Sequence, residues 1–255
     1  MQFAIAAARE AGEITLRYFR TELRVETKAD RSPVTVADRQ SETRLRELIG
    51  REYPGHGILG EEQGDQQGSG PYRWIIDPLD GTKSFIHGVP LYGVLVGLEE
   101  VGEREEDGRV LLGVAHFPAL GETVWAARGM GCFWNGRPAR VSEVTELGEA
   151  TVVYTSYRGI VKKGRAEVLE RLAEAALLER SWGDCYGYLL VATGRAEVML
   201  DPVTNPWDVA AVQPILEEAG GSFTDWRGRA TIYGGDGMAT NGRLREAVME
   251  IVNRQ

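Results

Sequence analysis

Trp74-Ile75-Ile76-Asp77-Pro78-Leu79-Asp80-Gly81-Thr82-Lys83-Ser84-Phe85 carries an apolar, strand-forming run into two carboxylates three residues apart and then into a Gly-Thr pair. The run predicts a strand over 73–76 that delivers both acids to one point. Pro78 fixes the backbone between them and Gly81 permits a sharp turn. The amides of Gly81, Thr82 and Lys83 then open a helix whose N-terminus attracts an anion. Two like charges at a strand end repel unless a cation or proton compensates them, so the stretch predicts a divalent metal beside phosphate.

Working outward, Phe3, Ala7, Ala8, Ala11, Ile14 and Tyr18 recur at helical steps and predict an amphipathic helix ending near Arg20. A second helix over 36–49 carries its apolar stripe on Val36, Leu45, Leu48 and Ile49 and stops at Gly50. Strands are predicted over 91–98, 110–117 and 122–127, the first two joined by a solvated charged turn at Glu103, Glu105, Glu106 and Asp107. Asn135-Gly136 predicts a tight hairpin. Beyond residue 147 the pattern alternates: strand 151–156, helices 164–177 and 184–193, strand 196–200, one helix over 207–219, and a strand over 237–240. The fold class is therefore mixed α/β. The expected division is an N-terminal domain, 1–146, with a helix pair and an antiparallel sheet, and a C-terminal α/β domain, 147–255. The Gly- and Gln-rich stretch 63–71 reads as a mobile loop beside the acids.

Composition narrows the class of function. The 255 residues suffice for a well-buried interior, and 43% hydrophobic content is ordinary for a soluble globular chain. A net charge of -9 argues against nucleic acid and anionic membrane as partners. Cys132 and Cys185 form no metal or disulfide pattern, and no secretory signal or apolar run of spanning length occurs. A reducing, cytoplasmic setting is the expectation.

Further acids stand at element ends: Glu61 and Glu62 after Ile58-Leu59-Gly60, and Asp208 after Asn205-Pro206-Trp207. Taken singly, Glu61 and Glu62 read as solvated loop acids, and Asp208 reads equally as a first-turn helix acid or a ligand. His56, His87 and His116 lack ligand spacing, so zinc or iron is weakly supported. Carboxylates with the Leu79 carbonyl suit Mg²⁺ or Mn²⁺, and their spacing excludes an EF-hand. Gly55-His56-Gly57-Ile58-Leu59-Gly60 matches GxGxxG, yet it neither follows a predicted strand nor opens a helix, so it carries no dinucleotide site.

Assembled, these residues resemble the inositol monophosphatase superfamily of Mg²⁺-dependent phosphate monoesterases. The motifs are Gly60-Glu61-Glu62, Asp77-Pro78-Leu79-Asp80-Gly81-Thr82, and Trp207-Asp208-Val209-Ala210-Ala211 followed by Glu218-Ala219-Gly220-Gly221. The resemblance implies a layered αβαβα sandwich. It implies that Glu61, Asp77 and the Leu79 carbonyl hold one ion, that Asp77, Asp80 and Asp208 hold a second, and that a third, weaker ion uses Glu61 and water. Val34-Thr35-Val36-Ala37-Asp38 resembles the family's early Thr-x-x-Asp segment. By that likeness Asp38 hydrogen-bonds Thr82 and helps it orient or deprotonate the attacking water; read alone, Asp38 is a helix-surface acid. Glu62 joins Asp38 and Thr82 in the implied catalytic set, and Gly81 with Thr82 binds the phosphoryl oxygens. In-line attack by water without a covalent intermediate, and a homodimer using aromatic surface such as Trp134 or Phe117, are implied in the same way.

For the leaving group, Asp184 and Asp201 are the candidate contacts. Inositol-type members usually carry Glu where this chain has Asp201. Two extra acids favour a cationic amine, and Asp184-Cys185-Tyr186 with Lys83-Ser84-Phe85 and Val89-Pro90-Leu91-Tyr92-Gly93 resembles the histidinol-phosphate phosphatase branch. Asp184 read alone is a helix N-cap. Inositol, sugar and nucleotide phosphates stay open as substrates. So do a non-catalytic regulatory protein on the same fold and a metal-free glycosidase with paired carboxylates.

Overall fold

The computed structural model describes residues 1–28, 33–104 and 108–254. Glu105, Glu106 and Asp107 of the expected charged turn lie outside the described residues. Two helices open the chain, α1 (Gln2–Tyr18) and α2 (Val36–Glu52), with a short ladder of β1 (Glu26–Thr27) and β2 (Pro33–Val34) between them. A capping box starts α2: Thr35 Oγ1 accepts from Ala37 N, and the Asp38 carboxylate accepts from Thr35 N at 2.8 Å.

An eight-stranded sheet follows, made of β3 (Gly57–Gly60), β4 (Gly64–Gln66), β5 (Tyr72–Asp80), β6 (Gly93–Glu100), β7 (Arg109–Phe117), β8 (Glu122–Ala127), β9 (Gly131–Trp134) and β10 (Arg137–Ala139). Its order is β10-β9-β8-β7-β6-β5-β3-β4, antiparallel except for the β3–β5 pair. The short helix α3 (Thr82–Ile86) leaves the end of β5. The Asn135-Gly136 hairpin forms between β9 and β10, with both residues at positive φ, as a primed turn requires.

The rest of the chain contributes β11 (Thr151–Tyr154), α4 (Tyr157–Lys162), α5 (Ala166–Ala175), β12 (Leu178–Arg180), α6 (Asp184–Ala192), β13 (Val198–Asp201), α7 (Pro206–Val209), α8 (Val212–Glu218), β14 (Ser222–Thr224), β15 (Gly237–Thr240) and α9 (Arg245–Asn253). Its five strands run in the order β12-β11-β13-β15-β14.

Side-chain alternation along the strands sets the layers. Ile76, Val96 and Val114 face α1 and α2, packing on Ala4, Ala8, Leu45 and Ile49. Ile75, Leu95 and Ala115 face the other way, into a layer that holds Leu189, Val209 and Ile215 and also receives Val153, Met199 and Ala239 from the second sheet. The far side of that sheet, Val152, Val198, Leu200 and Met238, packs on Leu172 and Val248. The stacking is α, β, α, β, α, the sandwich expected from the motifs.

Three expectations need correction. Residues 207–219 are not one helix but α7 and α8, broken at Ala210 and Ala211. Pro214 explains the break, because it has no N–H and its ring clashes with the carbonyl four residues back, at Ala210. The stretch 63–71 contains β4, paired to β3, and Ser69 N and Gly70 N both donate to Gly55 O, so backbone bonding ties down what composition read as a loop. Phe117 is fully buried in the central layer rather than on a surface, while Trp134 is half-buried against it.

Gly97 and Gly113 face each other across β6 and β7 on the inner side of the sheet. A Cβ on Gly113 would stand 1.9 Å from Ala211 O, and one on Gly97 would stand 3.1 Å from Ala210 Cβ. The absence of both side chains lets the α7–α8 break lie directly on the strands.

Where α1 crosses β7, a Cβ on Gly12 would stand 2.6 Å from His116 Cδ2, and His116 Nδ1 lies 2.9 Å from Thr123 Oγ1. Burial pushes the imidazole down to about 4 from 6.5. The folded protein therefore holds it neutral over a range in which the unfolded chain protonates it. Stability from this group is complete above pH ~6.5 and falls as the pH drops towards 4. Urea unfolding at pH 7 and pH 5 is expected to show wild type losing about 2 kcal/mol more than His116→Gln over that interval. Equal losses would remove His116 from the acid response.

Candidate active site

On a regular strand, residues three apart point to opposite faces. Between Asp77, opposite Leu95, and Asp80, opposite Gly93, β5 holds one residue more than β6. This bulge at Pro78 and Leu79 restores Asp80 to the side of Asp77. Leu79 N donates to Asp77 Oδ1 at 2.9 Å, and Ser41 Oγ donates to Pro78 O at 3.2 Å, fixing the bulge from inside and from α2. Asp80 accepts from the backbone amide of Cys185 at the start of α6.

Asp208 enters from the other half of the chain, on α7. Its Oδ2 accepts from Asn205 N at 2.7 Å, closing the first turn of that helix. Because the α7–α8 break rests on Gly97 and Gly113, the helix start reaches the end of β5. Asp77, Asp80 and Asp208 each offer an oxygen within 4.8 Å of the others.

Glu61 and Glu62 follow β3, the strand parallel to β5, and are not solvated loop acids. Lys28 Nζ donates to Glu61 Oε1 at 2.8 Å and to Glu62 Oε1 at 2.6 Å. The turn is built on Glu42, fully buried on α2, whose carboxylate accepts from Glu62 N at 2.7 Å and Gln63 N at 3.0 Å. A Cβ on Gly60 would meet the Glu42 carboxylate and the Arg46 guanidinium, so a side chain there would displace the groups that hold this turn. Glu42 thus positions the turn that carries Glu61 and Glu62, and it lies outside the sequence motifs. Its signal was available: Asp38, Ser41 and Glu42 share the buried face of α2 with Leu45 and Ile49, an unusual place for acids.

Asp38 is fully buried, which removes its reading as a surface acid. Its Oδ2 accepts from Thr35 N and Thr35 Oγ1, and Thr82 Oγ1 lies 3.3 Å from Oδ1 and 3.2 Å from Leu79 O. Gly81 sits at φ 82°, and a Cβ there would stand 2.9 Å from Leu91 O. The first intrahelical bond of α3 runs from Phe85 N to Gly81 O, so the preceding amides remain available to an anion.

Asp184 is the first residue of α6 rather than its N-cap, which is Gly183, and it holds a φ of 52°. Its Oδ2 stands 3.5 Å from where a Cβ on Gly81 would be. Asp201 ends β13 and is buried. A cavity of about 200 Å³ opens beside Asp184, lined also by Lys83, Ser84, Leu91 and Ser181.

The electrostatics describe charge awaiting compensation. Burial first, then Glu61, Asp80 and Asp208, push the Asp77 carboxyl well up; burial, Asp184 and Asp208 do the same to Asp80. Burial raises Asp208 to about 6, and raises Glu61 to about 7 against the pull of Lys28. Asp201 is pushed well up by burial and then by Asp184 and Asp208, and burial takes Asp184 to about 6. Hard oxygen donors without His or Cys, gathered where anions repel, fit a divalent cation of the Mg²⁺ or Mn²⁺ type.

The inositol monophosphatase family model matches residues 1–255, and the chain belongs to that family of typically metal-dependent enzymes. It is a phosphoric monoester hydrolase. Among its relatives, a histidinol-phosphatase of Chlorobaculum parvum is 46% identical over 99% of this chain and 96% of that protein. A histidinol-phosphatase of Mycobacterium tuberculosis is 39% identical over 99% of this chain and 97% of its own length. Among solved structures, the Thermotoga maritima IMPase superposes with a TM-score of 0.88 at 33% identity, covering 99% of this chain and 96% of that one. The resemblance to the histidinol-phosphatase branch thus extends over the whole chain. Among the described residues, no helix is long and apolar enough to cross a membrane.

Proposed function

We propose that this protein hydrolyses histidinol phosphate, using Mg²⁺ held by Asp77, Asp80, Asp208, Glu61 and the Leu79 carbonyl. The observation that carries the reading is the pair of acids, half-buried Asp184 and buried Asp201, next to the phosphate end of the site. A substrate alcohol bearing an ammonium group meets opposite charge there, where an uncharged polyol meets two desolvated carboxylates.

A divalent cation bound at the acids supplies Lewis acidity and a water of lowered pKa. The chain's own groups do the rest. The amides at the start of α3 bind the phosphoryl oxygens. Thr82, held between Asp38 and the Leu79 carbonyl, orients the attacking water and hands its proton towards Asp38. Glu62 holds Lys28 against Glu61 and keeps the edge of the site neutralised.

The test is kcat/KM for histidinol phosphate against inositol 1-phosphate at saturating Mg²⁺. A preference of at least about tenfold for histidinol phosphate is expected, or about 1.4 kcal/mol of discrimination. A preference for inositol 1-phosphate, or equal turnover of sugar and nucleotide phosphates, overturns the substrate assignment.

The same reading takes the enzyme to be a cytoplasmic homodimer. Both cysteines are free and buried, and Met130, just before β9, stands 59% exposed. Sedimentation of the purified protein at micromolar concentration decides the oligomeric state, and a monomer would refute it.

A further inference from the structure

One hydroxyl joins the two acids of the leaving-group side. Thr155 stands one residue beyond β11, whose parallel pairing sets Val153 opposite Met199 and Tyr154 opposite Leu200. The same register continued, with Thr155 N donating to Leu200 O at 3.2 Å, brings Thr155 beside Asp201. Its Oγ1 lies 3.0 Å from Asp201 Oδ2 and 3.0 Å from Asp184 N.

The proton positions follow from the partners. An amide nitrogen can only donate, so Oγ1 accepts from Asp184 N, and its single proton is left for the Asp201 carboxylate. A carboxylate at one end makes that bond charge-assisted.

Two further observations show that the contact holds a costly geometry. Asp184 sits at φ 52°, a left-handed conformation that is unfavourable for a residue with a Cβ. A Cβ on Gly183 would stand 2.1 Å from Thr155 Cα, so only glycine lets the start of α6 approach the end of β11 closely enough for the amide to reach Oγ1. The sequence separates Asp184 from Asp201 by the whole of α6 and β13, and Thr155 comes from a third element that touches both.

We propose that Thr155 is a specificity-determining positioning residue, whose hydroxyl fixes the spacing and orientation of Asp184 and Asp201 so that together they receive the cationic amine of the leaving alcohol. The inference rests on the amine-binding role of these two acids argued above. Thr155 itself does not contact the reacting atoms, so its removal acts on substrate discrimination rather than on chemistry.

The experiment compares wild type, Thr155→Val, Thr155→Ser and Thr155→Ala on three esters: histidinol phosphate, the amine-free imidazolylpropyl phosphate, and p-nitrophenyl phosphate. In Thr155→Val, which keeps the shape and deletes the hydroxyl, the kcat/KM ratio of histidinol phosphate to p-nitrophenyl phosphate is expected to fall about tenfold, the loss lying in KM. Thr155→Ser is expected to restore the ratio to within about twofold of wild type. Should Thr155→Val not fold, Thr155→Ala gives the same comparison. An unchanged ratio, or an equal loss on both esters without rescue by serine, overturns the role of Thr155. If wild type itself does not prefer histidinol phosphate to the amine-free ester, the amine reading fails instead. The two failures are separable because the second appears before any substitution is made.

Discussion

Asp80→Asn is expected to lower kcat by about three orders of magnitude at saturating Mg²⁺. The substitution keeps the shape of the side chain and can still accept from the Cys185 amide, so the fold of the β5 end is retained. It removes one of three carboxylates lying within 4.8 Å of one another. Losing several kcal/mol of stabilisation for charge developing on the reacting phosphoryl and leaving oxygens corresponds to about 10³ in rate. A second readout separates this from misfolding. Deleting one charge from this like-charged cluster relieves repulsion, so without Mg²⁺ the variant is expected to melt at or above the wild-type Tm. Added Mg²⁺ is expected to raise the wild-type Tm by mass action and to leave the variant nearly unmoved. Near-native kcat, or an undiminished Mg²⁺ shift, would show that Asp80 is not a ligand.

Gly113→Ala is expected to be the most damaging single methyl in the molecule. The added carbon would stand 1.9 Å from Ala211 O and 2.7 Å from its carbonyl carbon. Both are backbone atoms and cannot rotate away, so the α7–α8 segment must lift from the sheet. Overpacking of this kind costs about 3 kcal/mol or more. In a chain of this length that lowers Tm by about 6 °C or more. Because that segment carries Asp208, the apparent Mg²⁺ affinity is expected to weaken as well. A variant that melts within about 2 °C of wild type would show that the sheet tolerates a lifted helix.

Much of this site was legible because its residues are consecutive. The bulged end of β5 is contiguous, and Asp77-Pro78-Leu79-Asp80-Gly81-Thr82 displays proline, glycine and acids in the order in which the backbone uses them. The αβαβα layering followed from the family motifs, and the strands over 110–117, 122–127 and 237–240 from alternation. Contacts between distant segments were hidden. Nothing local to Gly97 or Gly113 announces that Ala211 rests on them. Glu42 shares a helical face with Leu45 and Ile49, but its partners, the amides of Glu62 and Gln63, lie in a distant turn after β3. Pro214 does mark the break between α7 and α8, but the apolar periodicity of 207–219 runs through it and masks the signal. The short strands β3, β4 and β14 escaped detection because three or four residues carry too little alternation to separate them from turns.

The hairpin joining β9 and β10 has a consequence for chemical ageing. An asparagine before a glycine ordinarily deamidates when the glycine nitrogen attacks its side-chain amide, closing a five-membered imide. Here Asn135 Oδ1 accepts from Thr123 N at 2.8 Å and Nδ2 donates to Gly121 O at 3.1 Å, so the side chain is anchored at both ends and turned towards the neighbouring strand. The native protein should therefore keep this amide intact during long storage, and isoaspartate should accumulate at position 135 only after the chain has unfolded.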